Sequence, residues 1–184
     1  MSNPRFTELL EKHRDRVYSH ALYCLRDPED AEDVTQETFV RLWEKQHDVD
    51  PARVAGWLTR VVHNLCIDQT RRRKTVRTHF GRPDPEACDT LAAPASRAND
   101  PEFQLALSER QTALLDALAT LPEETRSVMI MHYYQGMKLQ EIAAVLDKTV
   151  SALKVQVHRA RKSLRLVLAP SLDASPTARM ETGS

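Results

Sequence analysis

The residues best suited to chemistry in this 184-residue chain lie between Lys148 and Arg165, a stretch that holds six bases and no acid. Val150, Leu153, Val157, Ala160 and Leu164 recur there at helical spacing, which predicts a helix with one buried face. Ser151, Ala152, Lys154, Val155, His158 and Arg159 then point outward near the helix start, and Arg161 and Lys162 continue the cationic side. Small and polar side chains among cations suit contacts to base edges and phosphates. Neutralising phosphates releases counterions, so binding by such a surface would weaken steeply with salt.

Two further charged stretches stand out, although the chain as a whole carries 26 basic and 26 acidic residues and no net charge. Arg71, Arg72, Arg73, Lys74, Arg77 and Arg82 fall in a segment without acids, a second candidate polyanion contact. Asp27, Glu29, Asp30, Glu32, Asp33 and Glu37 fall in a segment without bases, which suits a separate, basic partner. Other chemistry finds little support. Four glycines leave no phosphate-binding loop, and H-E-x-x-H and G-x-S-x-G are both absent, so no enzyme and no cofactor is expected.

Cys24, Cys66 and Cys88 are odd in number and have no C-x-x-C spacing, so neither a disulfide framework nor a zinc ribbon is suggested. His20 with Cys24, and His63 with Cys66, are spaced to share helix faces and each could supply half of a metal site. Cysteine on an apolar helix face is more often a small buried hydrophobe, so no metal is expected. The seven histidines are expected on surfaces or helix edges. A mean hydropathy of -0.49, no apolar run long enough to span a bilayer and a charged start place the chain in the cytoplasm, without membrane insertion.

The elements that must position these residues are all helical, because strand-like alternation is nowhere sustained. Phe6, Leu9, Leu10, His13, Val17 and Leu22 predict a first helix, stopped at Asp27-Pro28. A second begins near Asp30 and buries Val34, Phe39 and either Leu42 or Trp43; a third, after Pro51, buries Val54, Trp57, Leu58, Val61, Val62 and Leu65. Asn64, Asp68 and Arg71 form a polar stripe along its edge. Pro83, Pro85, Pro94 and Pro101 mark a linker. A helix from about Pro101 to Leu121 follows, then one from Glu123 through Tyr134, ended by Gly136.

The next stretch carries the strongest local signal. Leu139, Ile142, Ala143 and Leu146 make a short apolar stripe, and Asp147-Lys148-Thr149 breaks the helix where the Thr149 hydroxyl can cap the next one. Two short helices joined by a three-residue turn, the second basic outside, match a helix-turn-helix. The expected fold is therefore all-α, with two small helical domains, 1–80 and 101–169, joined by a flexible linker at 81–100 and followed by a disordered tail at 170–184.

Both halves resemble one family, the extracytoplasmic-function sigma factors of bacterial RNA polymerase. Leu121-Pro122, Arg126, Gly136, Glu141-Ile142-Ala143, Leu146, Lys154 and Arg159-Ala160-Arg161 are similar to its fourth conserved region. DAEDVTQETFVRLW, from Asp30 to Trp43, with Trp57-Leu58, Asn64, Ile67-Asp68 and Arg71-Arg72, resembles its second. The resemblance covers most of residues 6–168.

That resemblance implies a set of roles. Asp33, Gln36 and Glu37 would dock on core RNA polymerase. Arg60, His63, Asn64, Arg71, Arg72, Arg73 and Lys74 would hold the melted minus-ten element of promoter DNA, with Trp57 kept in the core. Ser151, Ala152, Lys154, Val155, His158, Arg159, Arg161 and Lys162 would read the duplex minus-thirty-five element. An anti-sigma factor that clamps the two domains is the implied inhibitor. Asp147, Ala152, Gln156 and His132 depart from the usual Gly, Thr, Arg and Arg, which bears on the promoter sequence and not on the mode of binding. The competing reading, an operator-binding helix-turn-helix regulator without polymerase, leaves the acidic helix and the segment from Trp57 to Lys74 without a purpose.

Overall fold

A computed structural model describes residues 4–80 and 111–173, and among these the chain is helical without strands. The first three helices are α1 (Pro4–Leu25), α2 (Pro28–Lys45) and α3 (Val54–Phe80), the last preceded by a single 3-10 turn at Pro51–Arg53. The second unit holds α4, described over 111–119, α5 (Glu123–Met129), α6 (Leu139–Leu146) and α7 (Val150–Asp173).

Local chemistry sets the helix ends. α2 begins two residues earlier than the periodicity predicts. Pro28 lacks an N–H that the first turn could not have used, and the Asp27 carboxylate accepts the Asp30 amide at 3.1 Å. α1 ends at Arg26 in the left-handed region, φ 57°, where its N–H donates to the Leu22 carbonyl at 2.8 Å. α5 runs into a π-helical turn, Ile130–Tyr134, which the regular spacing does not announce, and Gly136 closes it at φ 68° as expected. α7 passes through Pro170 to Asp173, beyond the expected end. Proline removes the bond to the Leu166 carbonyl, but Leu166 lies on the solvent side, where water can satisfy it. The linker and the rest of the tail lie outside the described residues.

The first core gathers Val17, Ala21, Val34, Phe39, Leu42, Val54, Leu58 and Val62 from three helices. Leu42, at 1% exposure, takes the buried position that Trp43 competed for, while Trp57 packs half-buried against the same core. The second core gathers Leu121, Val128, Met131, Ile142, Leu153, Val157, Ala160 and Leu164.

The two units do not stand apart. Ile130 of the second unit is buried in the core of the first, and α5 and α6 lie against α3. His20 and His63 are consequently buried at the junction, contrary to the expectation that histidines would sit at surfaces or helix edges. No described helix is long and apolar enough to cross a membrane.

Candidate nucleic-acid and polymerase interfaces

The helix-turn-helix forms as its residues require. The Glu141 carboxylate accepts the Lys138 amide at 2.7 Å to start α6, and Asp147 ends it in the left-handed region at φ 55°. Aspartate visits that region more readily than most residues, so it can stand where glycine would be easiest. Lys148 N–H then donates to the Ala143 carbonyl at 3.0 Å, and the Ala152 N–H donates to the Thr149 hydroxyl at 3.2 Å. The cap predicted for Thr149 is present.

With Leu153, Val157, Ala160 and Leu164 locked in the core, the opposite face of α7 is fixed. Ser151, Ala152, Lys154, Val155, His158, Arg159, Arg161 and Lys162 are all exposed on it. Gln156 turns inward instead and donates to the Thr125 hydroxyl at 2.9 Å. A groove of about 680 Å³ runs beside this face, with Leu121, Pro122 and Thr125 on one wall and Ser151, Val155 and Arg159 on the other. His132 is held by a hydrogen bond to the Met137 carbonyl at 2.8 Å.

The candidate residues of α3 do not share one environment. Arg60, Asn64, Arg71 and Arg72 are exposed with Asp68 on the predicted stripe. His63 is not on that surface; it is 5% exposed, 2.6 Å from the Ser127 hydroxyl, and burial, helped by the neighbouring His20, lowers its pKa to about 4. Arg73 pairs with Asp27 at 2.9 Å and with Asp30, and Lys74 pairs with Glu123 of the second unit. Burial alone would raise the Asp27 carboxyl; the Asp30 amide and the Arg73 guanidinium outweigh it and hold the group below the usual carboxylate range.

On α2, Asp33, Gln36 and Glu37 are exposed as expected, and Glu37 accepts from Arg41 at 2.9 Å. Val40 and Trp43, 50% and 44% exposed, continue the same face one and two turns on, and Trp43 meets Phe6 edge to face. Their spacing from Gln36 was the available signal, hidden because apolar residues default to the core. Exposed carboxylates beside an apolar shelf fit a docking surface better than a solvated one.

The His20/Cys24 and His63/Cys66 pairs do meet across α1 and α3, but both imidazoles turn to Ser127. Among the described residues no three His, Cys, Asp or Glu side chains are placed to hold a metal ion. The Cys24 contact and burial push the Cys66 thiol well above its ordinary range.

Comparison with known proteins bears on the whole chain. Residues 9–76 match the family Sigma-70 region 2, and residues 111–164 match Sigma-70, region 4. The ECF RNA polymerase sigma factor SigE of Mycolicibacterium smegmatis is 36% identical over 166 residues, 90% of this chain but only 62% of SigE. SigL of Mycobacterium tuberculosis, also an ECF RNA polymerase sigma factor, is 34% identical over 162 residues, 87% of this chain and 86% of SigL. The sigma factor RpoE of Bartonella quintana, solved in complex with the anti-sigma factor NepR, shares the fold at a TM-score of 0.70 and 21% identity, covering 91% of this chain and 98% of RpoE. With both regions in their proper order and SigL matched along nearly all its length, the chain belongs to the ECF family of RNA polymerase sigma factors.

Proposed function

We propose that the chain binds core RNA polymerase in the cytoplasm and directs it to promoters, with no bond chemistry of its own. Asp33, Gln36 and Glu37, with Val40 and Trp43 beside them, dock on a basic and apolar surface of the polymerase. Arg60, Asn64, Arg71 and Arg72 track the backbone of the melted minus-ten strand, joined by His63, Arg73 and Lys74 once their present partners let go. The exposed face of α7, from Ser151 to Lys162, reads the duplex minus-thirty-five element.

The observation that carries this reading is the joint exposure of the α7 face and the acidic α2 face in one chain. An operator-binding regulator needs only the first. RpoE of Bartonella quintana is held by an anti-sigma factor, which supports an inhibitor of that class here as well. Run-off transcription with core polymerase on genomic fragments tests the proposal: discrete start sites that depend on the chain are expected, and DNA binding without polymerase association or initiation would overturn it.

A further inference from the structure

The outward face of α7 sorts its residues by chemistry. Helical geometry puts Ser151, Val155, His158 and Lys162 on the side opposite Leu153 and Val157, and all four are exposed. Lys154 and Arg161 flank that line on one side, Ala152 and Arg159 on the other. Cations on both flanks, with no acid from Lys148 to Arg165, match a groove whose two edges are phosphate strands. The line between the flanks, at the start of the helix, then meets the floor of the groove, where the base edges lie.

Val155 stands out in that line. It is 50% exposed, yet it has no group that donates or accepts a hydrogen bond. Ser151, one turn before it, and His158, one turn after it, both have such groups. An aliphatic side chain set among cations gains nothing from water or from a phosphate. On the base edges of the major groove, the apolar feature it can meet is the C5 methyl of thymine.

The side chain is also held in place. The Thr149 hydroxyl caps the first turn through the Ala152 amide at 3.2 Å, and Lys148 pairs with Glu124 of α5 at 2.8 Å. Gln156, the next residue along, donates to Thr125 of α5 at 2.9 Å. With Leu153 wholly buried, these ties set the rotation of α7 about its axis, and branching at Cβ leaves Val155 few rotamers. Leu121 and Pro122 lie across the neighbouring groove, which gives an apolar peptide as a rival occupant. Charge favours DNA, because Lys154, His158 and Arg159 surround Val155 and no acid does.

We infer that Val155 is a specificity-determining residue that reads the C5 methyl of one thymine in the minus-thirty-five element. It lies about 6 Å along the helix from Ser151 and about 4.5 Å from His158. At about 3.4 Å per base pair, the thymine therefore sits within about two steps of the bases those two side chains meet. The inference rests on the DNA-reading role proposed for α7 and names the base that Val155 selects.

Deoxyuridine, which lacks only the C5 methyl, tests it on the complex of the chain with core polymerase. Start sites mapped on genomic fragments locate the element, and each of its thymines, on both strands, is then replaced singly. At one position, affinity for the duplex should fall about fourfold, the worth of one methyl returned to water. Val155→Ala should weaken binding to the thymine duplex by a similar factor and make that position indifferent to deoxyuridine. Val155→Thr, which keeps the branched shape and one methyl, should retain part of the discrimination. Val155 is exposed, so both variants should fold, as helical circular dichroism will show. An element in which no thymine responds would overturn the inference and leave the sigma-factor function standing, as would an unchanged deoxyuridine penalty in Val155→Ala. Loss of polymerase association in Val155→Ala, with the penalty intact, would assign the residue to a protein contact instead. If no fragment is bound or initiated, the proposed function falls and this inference falls with it.

Discussion

Arg126 and Cys24 are 102 residues apart in sequence, yet the Arg126 guanidinium donates to the Cys24 main-chain carbonyl at 2.6 Å. The same guanidinium also donates to the carbonyls of Leu118, Ala119 and Leu121 at 3.0, 2.8 and 3.2 Å. One side chain thus satisfies open carbonyls at the ends of α1 and α4, one helix from each unit. Lysine cannot reproduce that fork. Arg126→Ala should cost about 2 to 4 kcal/mol of stability, since it strands several carbonyls. Arg126→Lys should recover only part of it, as read from urea denaturation midpoints. An alanine variant as stable as the parent would show that water replaces these bonds freely.

The cationic face of α7 gives a prediction on DNA. Lys154→Ala with Arg159→Ala should abolish transcription from the cognate promoter while polymerase association stays nearly intact. Each lost phosphate contact should lower the slope of log affinity against log salt by about 0.9. A titration series on duplex DNA from 50 to 200 mM salt measures it, and equal loss of polymerase and promoter binding would refute the assignment.

The acidic face of α2 gives the complementary one. Asp33→Lys with Glu37→Lys reverses two exposed charges without touching the core, so the helix should stay folded. The reversal also puts a lysine beside Arg41, the present partner of Glu37. Polymerase affinity should fall at least tenfold, on the order of the several kcal/mol that like-charge juxtaposition costs at an interface. An unchanged dissociation constant in a pull-down titration would move the docking site elsewhere.

Acidity should loosen the junction. The His63 pKa is lowered to about 4 chiefly by burial, against an ordinary 6.5, so the folded chain binds this proton less readily than an open or unfolded one. From α1 it faces His20, from α5 Glu124 and Ser127, and from the turn before α7 Lys148. His20 and Lys148 oppose the imidazolium and Glu124 favours it. A protonated Nδ1 can only donate to the Ser127 hydroxyl, 2.6 Å away, whose own proton must then point elsewhere. The stability contribution is complete above pH 6.5 and declines as pH falls toward 4, by about 3 kcal/mol at most. Chemical denaturation at stepped pH should show that slope, and His63→Asn should flatten it.

Much of the architecture was legible in the residues alone. Helical periodicity determines which face of a segment is apolar, and that is a local property. It therefore placed Leu153, Val157, Ala160 and Leu164 beneath Lys154, His158 and Arg159, and left Asp33, Gln36 and Glu37 outside. Capping chemistry is equally local, and Thr149 caps as its position requires, whereas the cap at Asp27, read in the sequence only as a turn, starts α2 two residues early.

What tertiary structure alone decided is the junction. Ser127 reads as one more polar residue on an amphipathic helix, and Ile130 as one more core residue of its own unit. Nothing in a window of fifteen residues states that the first lies between two histidines 107 and 64 positions away, or that the second fills the other unit's core. The π-helical turn at Ile130–Tyr134 was likewise not announced by the regular spacing, and its first residue, Ile130, is the one buried in the other unit's core. Periodicity tells a residue to turn away from water. Which neighbour it then meets depends on how two finished surfaces fit, and that is a property of the folded chain.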